Sequence, residues 1–203
     1  MRFAISRYNI MIIIALMLLI SGCTGTKIIV KPDPSSIKPS TEKNCGVVAV
    51  KEAGENFVYS GDVQLFAKEL EKSGLYDKVY YPARHDDKVD LILDTKFIGK
   101  LTHDKVVGFT QSIIIGLSLF ILEPVFWYDY YLDFNGKVAI VVNDNVVDTI
   151  ESNTHTQMSV KWLSLMSIDN VAVQALKASS ESMFKQIINE LNVYCRKHPG
   201  PAK

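Results

Sequence analysis

From Tyr128 to Val142 the chain alternates. Tyr128, Tyr130, Leu132, Phe134, Val138, Ile140 and Val142 share one parity, and Asp129, Asp133, Asn135 and Lys137 fall on the other. Successive side chains of a strand point to opposite faces, so this pattern calls for a long strand, apolar on one side and solvated on the other. Gly136 sits within the apolar parity, which suggests a kink or bulge there. Asn143-Asp144-Asn145 is a turn signal, and Val146 to Ser152 reads as the returning arm of a hairpin.

The flanking segments supply the rest of a layered domain. Val47-Val48-Ala49-Val50 is a short apolar strand. Ser60 or Asp62 can cap a helix running to about Lys72, with Val63, Phe66, Ala67 and Leu70 on one face. Ser73-Gly74 ends it, glycine suiting the left-handed position after a helix. Leu75 to Tyr81 reads as strand, stopped by Pro82. Val89, Leu91, Leu93, Thr95 and Phe97 alternate with Asp90, Asp94 and Lys96, a half-buried strand. A helix from about Asn170 to Tyr194 closes the chain, its buried stripe marked by Leu176, Met183, Phe184, Ile187, Leu191 and Tyr194.

The expected fold class is therefore α+β: a mixed or antiparallel sheet with two main helices on one face, plus an apolar insert between the third strand and the long β-hairpin. The segment Ser73-Gly74-Leu75-Tyr76-Asp77-Lys78-Val79 resembles the helix-to-strand break of small periplasmic α+β domains. Among these are the lipopolysaccharide-assembly lipoprotein and the amino-terminal domain of the Tol-system propeller protein. The resemblance spans roughly Val47 to Phe97 and carries over no functional residues.

The amino terminus has the layout of an export signal. Arg2 and Arg7 precede an apolar run of 11 residues, Ile10 to Ile20, and Ser21-Gly22 supplies small residues before a cut. Leu19-Ile20-Ser21-Gly22-Cys23 resembles the lipobox of bacterial lipoproteins. That resemblance implies that residues 1–22 are a removed signal peptide and that Cys23 carries palmitate-class acyl chains. Several chains on one residue would hold a bilayer firmly, since each buried methylene is worth roughly 0.8 kcal/mol. Position 24 is Thr, not the Asp that the family uses for inner-membrane retention, so the resemblance favours the periplasmic face of the outer membrane.

Residues 23–45 read as a lipid-anchored tether. Pro32, Pro34 and Pro39 stand among Ser, Thr and Lys, with Ile28-Ile29-Val30 as a short strand candidate. Residues 46–198 read as a single domain. Cys45 and Cys195 flank it, and in an oxidising compartment an even pair reads as a disulfide; the alternative is two buried free thiols.

The insert, residues 106–128, is what such a domain does not need. Val106 to Leu122 is an uncharged stretch of 17 residues, at the lower edge for crossing a bilayer. Glu123-Pro124 interrupts it, and interfacial aromatics follow. Three readings stand open: a buried core helix or strand pair, a loop contacting the membrane, and a single transmembrane helix. The contact reading assigns membrane or partner contact to Ile113, Ile114, Ile115, Leu117, Leu119 and Phe120. It extends to Ile121, Leu122, Phe126, Trp127 and Tyr128.

Lysine plus arginine equals aspartate plus glutamate, 22 each, which argues against a nucleic-acid partner. His85, His103, His155 and His198 lack metal-ligand spacing, and neither a nucleophile motif nor a phosphate-cradling glycine loop is present. His85-Asp86-Asp87 and the carboxylates Asp129 and Asp133 read as solvated groups. No catalytic residue, metal site or cofactor is expected. The function expected is a non-catalytic, lipid-anchored envelope lipoprotein that holds or recruits an envelope protein at the membrane. The alternative is a subunit of an envelope transport or secretion assembly whose insert contacts the membrane or oligomerises. An envelope hydrolase would need a nucleophile–base pair that the sequence does not display.

Overall fold

Asn143 and Asp144 both take left-handed backbone, with φ of 49° and 61°. A two-residue turn of that hand matches the twist of the strands it joins. It folds the alternating segment into a hairpin, the centre of a six-stranded mixed sheet. The computed structural model describes residues 25–36, 45–52, 62–84, 88–103, 110–114, 117, 126–161 and 168–198. In chain order the elements are β1 (Thr26–Lys31), a 3-10 turn (Pro34–Ser36), β2 (Val47–Glu52), α1 (Asp62–Ser73), β3 (Lys78–Tyr80), β4 (Leu91–His103), β5 (Trp127–Val142), β6 (Asn145–Lys161) and α2 (Ile168–Lys197). The sheet order is β1-β6-β5-β4-β2-β3. β2 is parallel to both neighbours, Val48 standing opposite Val79 on one side and Leu91 on the other. The architecture is the α+β arrangement that the patterning implies.

The described residues fall into two compact units. The first is drawn from Met1–Ile29, Thr102–Tyr131 and Gln157–Ala175, the second from Val30–Leu101, Leu132–Thr156 and Leu176–Lys203. In the second unit both helices cover one sheet face. Phe66 of α1, Phe97 of β4 and Phe184 of α2 meet with ring centroids 5.3–5.5 Å apart, and Val48, Val50, Leu93, Ile140, Ile187 and Leu191 complete the core. Cys45 and Cys195 are joined in a disulfide, with Cα atoms 5.6 Å apart. Tyr76 packs beside it, and burial, with a smaller push from Tyr194, raises its hydroxyl pKa. The first unit has a smaller core of its own: Met158, Val160, Val171 and Ala175, with Ile28, Tyr130 and Ala172 packed against them.

Gly74 takes φ of 65° and closes α1 as expected, its N–H donating to the Glu71 carbonyl at 3.1 Å. Four details differ from the sequence reading. The strand expected from Leu75 is only Lys78–Tyr80, because Leu75 and Tyr76 are drawn into the core at a bend. That bend is tied by Cys45 N–H to the Leu75 carbonyl and by Asp77 N–H to the Gly46 carbonyl. Gly136 is not a bulge: an extra residue would switch the buried parity, yet burial stays on Leu132, Phe134, Gly136, Val138 and Ile140. The glycine instead leaves room for α2, since a Cβ there would stand 2.6 Å from Met183 Sδ. β6 runs nine residues past Ser152, and α2 reaches Lys197. Finally, the strand candidate Ile28-Ile29-Val30 is borne out but is longer, Thr26–Lys31, and pairs into the sheet, which so takes in residues ahead of Gly46. A strand end otherwise left unpaired is satisfied this way.

Residues 1–24, with the signal segment and Cys23, lie outside the described residues, as do His85, Asp86 and Asp87. Among the described residues no helix is long and apolar enough to cross a membrane.

Candidate membrane-contact site

The first unit brings together three segments far apart in sequence. The hairpin register sets the start of β5 beside the end of β6, which puts Trp127 next to Lys161. The Lys161 N–H donates to the Gly25 carbonyl at 2.9 Å, just ahead of β1. The Trp127 ring closes over Gly25 so tightly that a Cβ on that residue would lie 3.1 Å from the ring edge. The Lys161 ammonium stands 5.2 Å from the Trp127 ring centroid, a cation–π pair. From the insert, the Gln111 side-chain amide donates to the Trp127 carbonyl at 3.0 Å. Residues 110–114 are helical and present Ile113 and Ile114 to solvent. Leu117 is 82% exposed and Trp127 is 39% exposed. Phe126 and Tyr128 are half-buried, and Ile115, Leu119, Phe120, Ile121 and Leu122 lie outside the described residues.

The cluster pairs an amphipathic ring and a long cation with outward aliphatic side chains. Trp and Tyr prefer the headgroup level of a bilayer, and a lysine lays its stem on apolar surface while its ammonium stays wet. Gly25, Gln111 and Lys161 are the members that the sequence reading missed. Gly25 carried one faint signal, a lone glycine two residues past Cys23. Lys161 ends an alternation that is hard to see, because its inward residues Ser152, Thr154 and Thr156 are polar.

His155 Nδ1 donates to Asp133 Oδ1 at 2.7 Å on the solvated sheet face, both side chains about half exposed. A polar, open groove of about 810 Å³ in the second unit is lined by Asp148, Glu151, Gln186, Asn189, Lys197 and His198, among others. Its His198 Nδ1 donates to the Tyr194 carbonyl at 3.2 Å. No group of three His, Cys, Asp or Glu residues is placed to hold a metal ion among the described residues.

No family model and no curated protein matches the chain. Solved structures do. A minor lipoprotein from Acinetobacter baumannii superposes with a TM-score of 0.49 at 9% identity, over 77% of this chain and 96% of that one. The rare lipoprotein B from Shewanella oneidensis gives 0.43 at 11% identity, over 74% and 98%. A PelC dodecamer subunit from Paraburkholderia phytofirmans gives 0.35 at 10% identity, over 83% and 98%.

Proposed function

We propose that this chain is a lipid-anchored lipoprotein of the bacterial cell envelope, on the periplasmic face of the outer membrane, and that it holds an envelope protein partner there without catalysing a reaction. The observation that carries the reading is the place of Cys23. It stands two residues before Gly25, which Lys161 and Trp127 fix at the start of β1. Acyl chains on that cysteine would hold the folded domain directly, not through a long spacer. The Cys45–Cys195 bridge fits an exported protein, since such bonds persist in oxidising compartments.

Labelled palmitate fed to cells expressing the full chain tests the anchor. The label is expected on the wild type and lost in Cys23→Ser. Wild-type protein without label would reject the anchor. Crosslinking in intact cells, followed by identification of what is captured by wild type and not by Cys23→Ser, tests whether a partner depends on membrane placement.

A further inference from the structure

The exposed apolar side chains of the first unit could face a protein or a lipid surface, and the position of Gly25 decides between them. We propose that this unit rests directly on the phospholipid leaflet that holds the anchor. Trp127 and Lys161 lie at headgroup level, and Ile113, Ile114 and Leu117 reach the acyl boundary. The inference rests on the reading of Cys23 as the lipidated residue.

The argument is one of reach. Two residues of extended chain span at most about 7 Å. The headgroup layer on one side of a bilayer is itself only about 5–8 Å thick, the difference between the full and hydrocarbon thicknesses shared over two leaflets. Acyl chains on Cys23 must enter the hydrocarbon, so Gly25 can stand no farther out than the headgroup zone and its immediate edge. Gly25 is not free to lengthen the leash. Its carbonyl accepts from Lys161 N–H, and three residues on, Ile28 is packed on Met158, Val160, Val171 and Ala175. The Trp127 ring covers Gly25, so the ring shares its depth.

The chemistry at that depth suits lipid. An indole with a lysine over its face is the pairing that headgroups accommodate, the ammonium meeting phosphate while the ring meets the glycerol region. Gln111 ties the 110–114 helical segment to the same Trp127 carbonyl, so its outward side chains belong to the same end of the unit. A leucine that is 82% exposed in water gains by entering hydrocarbon. A protein partner could meet these side chains only by displacing the leaflet from a place that the anchor compels it to occupy.

The test uses the lipidated full chain, reconstituted in phosphatidylethanolamine–phosphatidylglycerol vesicles. Trp162→Phe leaves Trp127 as the only tryptophan. Its emission is compared in ordinary lipid and in lipid brominated along the acyl chains. Quenching by the brominated lipid is the expected result. Unlipidated Cys23→Ser protein should float weakly with the same vesicles, and Leu117→Asp should lower that flotation by about tenfold without moving the thermal melt. Should Trp162→Phe fail to fold, subtracting the signal of Trp127→Phe from wild type gives the same readout. Equal Trp127 emission in both lipids, with palmitate label present, would overturn the proposal and assign these side chains to a protein partner. Absence of label would instead reject the anchor on which it rests.

Discussion

A Cβ on Gly136 would stand 2.6 Å from the Met183 sulfur and 3.1 Å from the Ile187 terminal methyl. This contact sets how closely α2 lies on β5 in the second unit. Gly136→Ala should destabilise the protein by about 1–2 kcal/mol and Gly136→Val by about 3 kcal/mol, the range for forcing atoms into a packed core. Because the tightest conflict is with Met183, Met183→Ala should cost less in the Gly136→Val background than in wild type, by about 1 kcal/mol. Urea unfolding of the four proteins measures that coupling. Strictly additive losses would mean that the strand, not the helix, requires the glycine.

Thr154 and Thr156 both point inward from β6, yet they should respond oppositely to the same change. The Thr154 hydroxyl pairs with Ser179 Oγ at 2.6 Å. The Thr156 hydroxyl is buried without a hydrogen-bond partner. Replacing an unpaired buried hydroxyl by a methyl removes a desolvation penalty, so Thr156→Val should stabilise by about 1 kcal/mol. Thr154→Val orphans Ser179 and should destabilise by a similar amount, about 1 kcal/mol. Denaturation midpoints moving in the same direction would contradict the assignment.

Asp62 opens α1 with only 5% of its surface exposed, and one carboxylate oxygen lacks a partner. Burial pushes its pKa up to about 6. The folded state therefore binds a proton more tightly than the unfolded chain, and stability falls as pH rises from near 4 to near 6. Asp62→Asn removes the titration. The variant should match wild type near pH 4 and exceed it by up to about 3 kcal/mol near pH 7, read from denaturant melts at both values. A constant difference between the two proteins across that range would show that Asp62 is not penalised by burial.

The disulfide closes a loop with a sequence separation of 150. In the chain-entropy account a loop of that size restricts the unfolded chain by about 5 kcal/mol, and removal of native bridges usually costs about 2–5 kcal/mol. Cys45→Ala with Cys195→Ala should lower stability by an amount in that range. The double variant should also unfold identically with and without reductant, whereas wild type should lose stability on reduction.

Much of the second unit is legible in the sequence because its core residues are apolar and locally periodic. The α1 stripe Val63, Phe66, Ala67 and Leu70 and the β4 alternation Leu91, Leu93, Thr95 and Phe97 are all buried. The far half of β6 was hidden for a physical reason: Ser152, Thr154 and Thr156 face inward, so a strand with sound period-two burial shows no period-two hydrophobicity. β1 shows in the sequence only as a candidate, for another reason. Its three apolar residues are too few to decide between strand and linker, and only the distant β6 edge settles the matter. The candidate contact site follows the same division. Ile113 and Leu117 stand out as apolar residues of an uncharged stretch and Trp127 as an aromatic just beyond it, but Gly25 and Lys161 acquire meaning only when strands from opposite ends of the chain pair.

The bridge between Cys45 and Cys195 also governs what proteolysis can do. A protease that nicks any loop between those residues leaves two fragments still covalently joined. The insert and both hairpin strands lie inside that span, so a clipped insert does not release the carboxy-terminal fragment. With acyl chains on Cys23, both fragments of a cut inside that span would remain on one anchor, and releasing the carboxy-terminal one would take a reductant as well.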